Sequence, residues 1–333
     1  MEIGVSAPNR IDLAGGTTDL YPLFLLMDGG CTVNIAISVQ SRVRLRSSDE
    51  AGIRIVSKDL GLQVDAADPA GLPVDGPLGL ICRAVRALPP PGPFEIETKN
   101  QAPAGSGLGA SSALLIALLV GLLKLRREEM SPTRIIDLAG NLETAAIGVP
   151  TGQQDYIAAF YGGISFLDFG YEGFTRETAP DAESLRDRLE KMVVLAHTGE
   201  GRFSGINNWE VTQAFIADRD LVRGKLLGIR DVARRVAEVM NAGKLEDLFE
   251  PVDEEWQLRR TLAPGVSTPK IESIMTAARH AGAGANKICG AGGGGCMITL
   301  VPPAKRSAVE QAIVHAGGEP IPFRISPTGV VIR

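Results

Sequence analysis

Apolar positions change their period several times along the chain, and each change marks an element. A short strand near Ile3 to Ala7 leads into a glycine turn, RIDLAGGTTDLYP, and the alternating stretches Cys31 to Val39 and Arg42 to Arg46 predict strands. The proline-rich loop Pro89 to Pro93 precedes FEIETKN, where Phe94, Ile96 and Thr98 share one face of a strand. Then comes PAGSGLGASSA, Pro103 to Ala113, and from Ser111 to Leu125 a continuous apolar run of helix formers that predicts a helix buried all round. The local order is strand, glycine loop, buried helix. A second helix is predicted over Pro132 to Ile147, a short third one after GVPTGQQD, and a strand in GGISFLDF. Residues 174–187 turn polar before MVVLAHTG resumes as a buried strand, which places a domain boundary near 188 and divides the chain into 1–188 and 189–333. The second part holds amphipathic helices over Leu221 to Met240 and Pro269 to Ala281, the glycine run KICGAGGGGCMITLV, and a closing helix and strand.

Composition narrows the classes. A length of 333 residues favours two domains, and 44% hydrophobic with 22% charged residues is the balance of a folded soluble protein. The net charge of -5 offers no footprint for nucleic acid. No apolar stretch approaches the roughly 20 residues of a membrane helix, and MEIGVSAPNR lacks a secretory pattern, so no membrane partner is expected. Cys31, Cys82, Cys289 and Cys296 show no CxxC pairing, which argues against zinc or disulfides and for a reducing cytoplasm. Whether the chain pairs with a second copy is left open, a homodimer being compatible with the sequence. Glycine is the outlier: its 39 residues gather in a few runs, which draws attention to those runs.

In a loop such as PAGSGLGASSA, glycines let backbone N–H groups approach anionic oxygens, and a following helix adds the positive end of its dipole. Ser111 and Ser112 sit at the junction, where a hydroxyl can hold Mg²⁺ or cap the helix. The loop alone is equally compatible with an ordinary strand-to-helix corner. It contains no GxxxxGK[ST], and Gly105, Gly107 and Gly109 follow GxGxG spacing, not the GxGxxG of dinucleotide folds. LDFG, Leu167 to Gly170, lacks the HRD and VAIK partners of protein kinases, so Asp168 reads as a strand-end residue. His197, His280 and His315 read as structural or solvated, not as general bases.

PAGSGLGASSA resembles the ATP-binding motif of the GHMP kinases, the superfamily of galactokinase, homoserine kinase and mevalonate kinase. APNRIDLAGGTTD resembles the substrate motif of its sugar-directed members, and KICGAGGGGCMITL the third glycine motif. The resemblance implies an α+β, two-domain GHMP kinase fold. It has a βαβ-rich N-terminal domain with the ATP loop, a ferredoxin-like C-terminal domain, and the active site between them. It implies ATP and Mg²⁺ as cofactors. Pro103, Gly105, Ser106, Gly107, Leu108, Gly109, Ala110, Ser111 and Ser112 would hold the nucleotide. Ser111, or Ser112 if the alignment slips by one, and Glu143 would hold the metal, with Asp155 of TGQQDY and Arg10 as the catalytic pair. Physically, a carboxylate there accepts or orients the hydroxyl proton, while the guanidinium lowers its pKa and steadies the phosphoryl group.

The same resemblance implies a sugar or sugar phosphate as substrate, held by Gly15, Gly16, Thr17, Thr18 and Asp19, with Gly292 and Gly293 alongside. Where galactokinases carry a Glu-His pair this chain has Gly16 and Thr17, which disfavours galactose and suits a 6-deoxy sugar or one extended beyond C6. GGTTDLYP is similar to D-glycero-D-manno-heptose 7-phosphate kinases, and RIDLAGGTTD to L-fucokinases; the short, free-standing chain favours the former. A 7-phosphate needs a cation, and Arg202 of HTGEGRFSG is the candidate, although a surface turn is the plain reading of that loop. A non-catalytic sugar sensor and a decarboxylase of the mevalonate branch are the rivals. Retention of Ser111, Glu143 and Asp155 argues against the first, and Asp19 against the second.

Overall fold

The computed structural model describes residues 1–179, 182–201 and 204–333. The N-terminal lobe runs β1 (Glu2–Ala14), α1 (Leu23–Leu26), β2 (Gly30–Ser47), β3 (Ile53–Ser57), β4 (Leu62–Ala66), α2 (Gly79–Ala87), β5 (Phe94–Asn100), α3 (Ala110–Arg126), α4 (Pro132–Ile147), α5 (Gln154–Tyr161), β6 (Ile164–Gly170) and β7 (Gly173–Thr178). The C-terminal lobe follows with α6 (Ala182–Met192), β8 (Val193–His197), α7 (Ser204–Ala217), α8 (Arg219–Asn241), α9 (Phe249–Arg259), α10 (Pro269–His280), β9 (Ala285–Ile288), β10 (Cys296–Leu300), α11 (Arg306–His315) and β11 (Glu319–Pro320). A last strand, β12 (Val331–Ile332), returns to the first lobe and pairs with Val5 and Ser6.

Both lobes are sheets covered by helices. The first sheet has the order β12-β1-β2-β5-β3-β4, and the first half of the long β2 pairs instead with β6, which pairs with β7. The second has the order β11-β8-β10-β9, every recorded pair antiparallel, which with the helical crossovers is the ferredoxin-like arrangement. The chain thus has the two-domain α+β fold expected of it. Helix α3 is apolar on every side because it is enclosed: Leu115 to Leu119 are all at most 1% exposed, within a core shared with α2, α4, α5 and the sheet. A second core takes Ile11, Leu13, Val33 and Ile35 from the first sheet together with Leu195 and Ile298 from the second, so burial of one apolar interior joins the lobes.

Two strand expectations change. β1 extends to Ala14, far past Ala7, so Arg10 and Asp12 lie on a strand and not in the glycine turn. Its second half is fully buried, packed by α5, α8 and α9, which hides the period-two pattern. The stretches read as two strands between Cys31 and Arg46 form one strand, β2, whose pairing with β1 shifts register between Pro8 and Asn9. Among the described residues no helix is long and apolar enough to cross a membrane.

Candidate active site

A cavity of about 670 Å³ opens beside the start of α3. Pro103, Gly105, Ser106, Gly107, Gly109, Ala110, Ser111 and Ser112 line it, while Leu108 is fully buried and turns its carbonyl to the backbone N–H of Arg10 at 3.0 Å. Glycine is required at 107: its φ is +71°, and a Cβ there would collide with the carbonyl oxygen of Cys289. The third glycine run backs the loop, since the N–H of Cys296 donates to the carbonyl of Ser106 at 2.7 Å. Helix α3 starts from Gly109 without a side-chain cap. Its first-turn N–H groups at Ala110, Ser111 and Ser112 are therefore directed to whatever anion the cavity holds.

The two serines lie inside the first turn of α3, past the cap position at Gly109, and their hydroxyls are engaged with one carboxylate. Ser111 donates to one carboxylate oxygen of Glu143, and Ser112 to the other at 2.8 Å. Tyr156, fully buried on α5, donates to that second oxygen at 2.5 Å. Burial pushes the Glu143 carboxyl up, and the hydrogen bonds from Ser111, Tyr156 and Ser112 pull it back. These are hard oxygen donors at the cavity wall, and a carboxylate retains acceptor capacity beyond three donors. Mg²⁺ typically takes one or two carboxylates plus phosphate oxygens and water. Among the described residues no group of three or more His, Cys, Asp or Glu side chains could hold a metal ion, so the fit is to an ion shared with phosphate, not to an all-protein cage.

Asp155, at the start of α5, faces this loop; a Cβ on Gly109 would lie 3.0 Å from its Oδ2. Arg10 binds Asp155 Oδ1 through Nε at 2.8 Å and Nη2 at 2.6 Å, and donates from Nη1 to the Gly107 carbonyl at 2.5 Å. One guanidinium thus ties the carboxylate to the glycine loop. Burial raises the pKa of Asp155 and outweighs Arg10, which does lower it as expected, so the net shift is upward.

Thr17 and Asp19 also line the cavity. Asp19 accepts from the Gln154 backbone N–H at 3.0 Å. It is pushed up to about 6 by burial, with the Gln154 N–H opposing and the charges of Asp155 and Asp12 adding. Gly15, Gly16 and Thr18 support this loop from behind: Thr18 Oγ1 donates to the Gly15 carbonyl at 2.7 Å, and a Cβ on Gly16 would strike Asp12. Gly292 and Gly293 do not line the cavity. Gly293 donates to the Val266 carbonyl at 2.8 Å and Gly292 packs on the same residue; Gly290 and Ala291 form the wall instead. Arg202 lies outside the described residues, immediately after Gly201 of the cavity wall. Asp168 is an exposed strand residue 3.9 Å from Arg234, remote from this network.

Four buried charges behind the Gly15 to Asp19 loop escaped the sequence. Arg259 and Glu255 of α9 meet Lys287 of β9 and Asp12 of β1, with Arg259 to Glu255 at 2.5 Å and Lys287 to Asp12 at 3.1 Å. All four side chains are at most 1% exposed. Burial alone would raise Asp12, but Lys287, Arg259 and Arg10 together hold it below the usual carboxylate range. Glu255 and Arg259 have the i,i+4 spacing of a solvated pair, and no sequence signal separates a buried one.

The family model for the GHMP kinases N terminal domain matches residues 79–163, and that for the GHMP kinases C terminal domain residues 236–319. The chain belongs to the GHMP kinases. These are ATP-dependent phosphotransferases acting on sugars or related alcohols, and the chain is an enzyme of that class. It is 25% identical over 335 residues to the D-glycero-alpha-D-manno-heptose 7-phosphate kinase of Campylobacter jejuni, covering 98% of each chain. It is 27% identical over 351 residues to the mevalonate kinase of Thermococcus gammatolerans, covering 100% of this chain and 99% of the relative. A solved D-glycero-D-manno-heptose 1-phosphate kinase from Bacteriodes thetaiotaomicron superposes with a TM-score of 0.82 at 23% identity over 99% of this chain and 98% of that one, which shows a shared fold.

Proposed function

We propose that this GHMP kinase transfers the γ-phosphoryl group of ATP to the anomeric hydroxyl of D-glycero-D-manno-heptose 7-phosphate. The observation that carries the reading is the acceptor wall. Thr17 and Asp19 stand beside Asp155, while Gly16 brings no side chain and has no room for one. Such a wall has a carboxylate for sugar hydroxyls and lacks the Glu-His pair that galactokinases carry at the positions of Gly16 and Thr17. The likeness to the Campylobacter enzyme over 98% of both chains supports that choice.

In this reading the glycine loop and the first turn of α3 bind the nucleotide phosphates through backbone N–H groups. Mg²⁺, held by Glu143 and the Ser111 hydroxyl, would neutralise charge on those phosphates. Asp155 receives the proton of the attacking hydroxyl; its burial-raised pKa makes it a better acceptor than an exposed aspartate. Arg10 keeps the carboxylate aimed at the loop and stabilises charge on the phosphoryl group in transit. Arg202 is assigned the 7-phosphate. A cytoplasmic setting accords with four free, buried cysteines.

The equal likeness to a mevalonate kinase makes mevalonate the second candidate acceptor. ADP release with heptose 7-phosphate, L-fucose, mannose, galactose and mevalonate, followed by phosphorus NMR of the product, tests the proposal. Highest kcat/KM on the heptose, with a new phosphate on the anomeric carbon, is expected. Preference for galactose or mevalonate would overturn it.

A further inference from the structure

Arg259 extends from α9, in the C-terminal lobe, into the acceptor loop of the other lobe. Its Nη1 donates to Thr17 Oγ1 at 2.8 Å and its Nη2 to the Gly16 carbonyl at 2.5 Å. The opposite edge of the same guanidinium is held by Glu255, whose Oε1 accepts from Nε at 3.0 Å. That oxygen also accepts from the Gly15 backbone N–H at 3.3 Å and lies 3.4 Å from Lys287 Nζ. Lys287 in turn donates to the backbone carbonyl of Asp12 at 3.0 Å, on the strand that carries Arg10.

The loop needs such a hold. Thr17 has φ of +74°, a left-handed conformation that a β-branched residue keeps only when its surroundings hold it there. A residue left to itself would relax out of it. Two hydrogen bonds from a buried cation, each charge-assisted, supply enough to keep it there. Two positive and two negative charges, all removed from water, are costly to bury.

We infer that Arg259 is a positioning residue for acceptor specificity: by clamping Gly16 and Thr17 it sets where Thr17 and Asp19 stand in the cavity, and so makes the C-terminal lobe part of acceptor selection. This rests on the reading of residues 15–19 as the acceptor loop. Among the described residues the hydrogen bonds of Arg259 and Glu255 go to residues 15–17 and to each other, whereas the nucleotide cradle is the glycine loop, α3, Glu143 and the third glycine run.

Two substitutions separate the clamp from general damage. Thr17→Val removes the acceptor oxygen and leaves the four buried charges in place, and Arg259→Lys keeps the charge but loses the fork that reaches two acceptors. Each is expected to raise KM for the acceptor sugar about tenfold, the loss of one hydrogen bond to a charged group, with KM for ATP within about twofold of wild type. In the double variant the effect should be no larger than in Arg259→Lys alone. Amide hydrogen exchange of Arg259→Lys should quicken at residues 15–19 and nowhere in 103–112. Multiplying effects in the double variant, equal shifts in both KM values, or unchanged exchange at 15–19 would overturn the clamp. If the wild type turns over no sugar, the acceptor reading fails by itself, and the exchange experiment still decides whether Arg259 fixes the loop.

Discussion

The two walls of the cavity are built on opposite principles. On the proposed reading the nucleotide wall is mostly local: a glycine loop, the uncapped helix that follows it and a carboxylate one helix away come from the N-terminal lobe, with the third glycine run of the other lobe backing the loop. The acceptor wall is assembled at a distance. Thr17 and Asp19 come from one loop, yet that loop is held by Arg259 and Glu255 from far along the chain. The contrast accords with the chemistry asked of each. Phosphates are the same for every kinase and can be met by fixed N–H groups, whereas the acceptor varies and is met by side chains whose placement can be tuned from behind.

Substitutions that affect one wall and spare the other test this division. Glu143→Gln should have the largest effect, about a hundredfold loss in kcat/KM with a higher Mg²⁺ requirement, because it weakens the ligand that Ser111, Ser112 and Tyr156 hold. A titration of rate against Mg²⁺ at saturating acceptor would read it, and an unchanged midpoint would remove Glu143 from the metal site. Gly107→Ala should follow, raising KM for ATP about tenfold and costing about 2 kcal/mol in denaturant unfolding, since the left-handed backbone and the Cys289 carbonyl leave no space for a methyl group. Its acceptor KM should hold steady.

Asp19→Asn acts on the other wall and in two directions. Folded Asp19 keeps its proton up to about pH 6, above the ordinary 3.8, so it binds protons more tightly folded than unfolded. Its favourable contribution to stability is full below about pH 4 and is lost as the pH rises through 6. At pH 8 the neutral amide should therefore stabilise the protein by about 2 kcal/mol while raising KM for the acceptor. A variant no more stable at pH 8 than wild type would show that the carboxylate is compensated by groups other than those facing it. In the wild type, acceptor affinity should weaken as the pH is lowered through 6.

How much of this was legible in the sequence follows the same division. Helix α4 runs over Pro132–Ile147 and strand β5 over Phe94–Asn100, as their periodicity predicts, and the glycine loop stands where motif and helix meet. Ser111 with Glu143, and Arg10 with Asp155, are brought into contact as the family resemblance implied. What could not be read depends on burial. A strand covered on both faces hides its period, so β1 looked short. Charges such as Glu255 and Lys287 are ordinary surface residues until the fold removes them from water. Gly292 and Gly293 show the converse: their motif was visible, but only the structure distinguishes glycines that line the cavity from glycines that pack beneath it.

On the proposed reading Asp155 takes the acceptor proton while a separate wall holds the nucleotide. Rapid-quench single turnover with Asp155→Asn, at saturating ATP and acceptor, tests it most directly. The prediction is a phosphoryl-transfer rate down about a thousandfold with ATP affinity unchanged. Transfer within about twofold of wild type would contradict it.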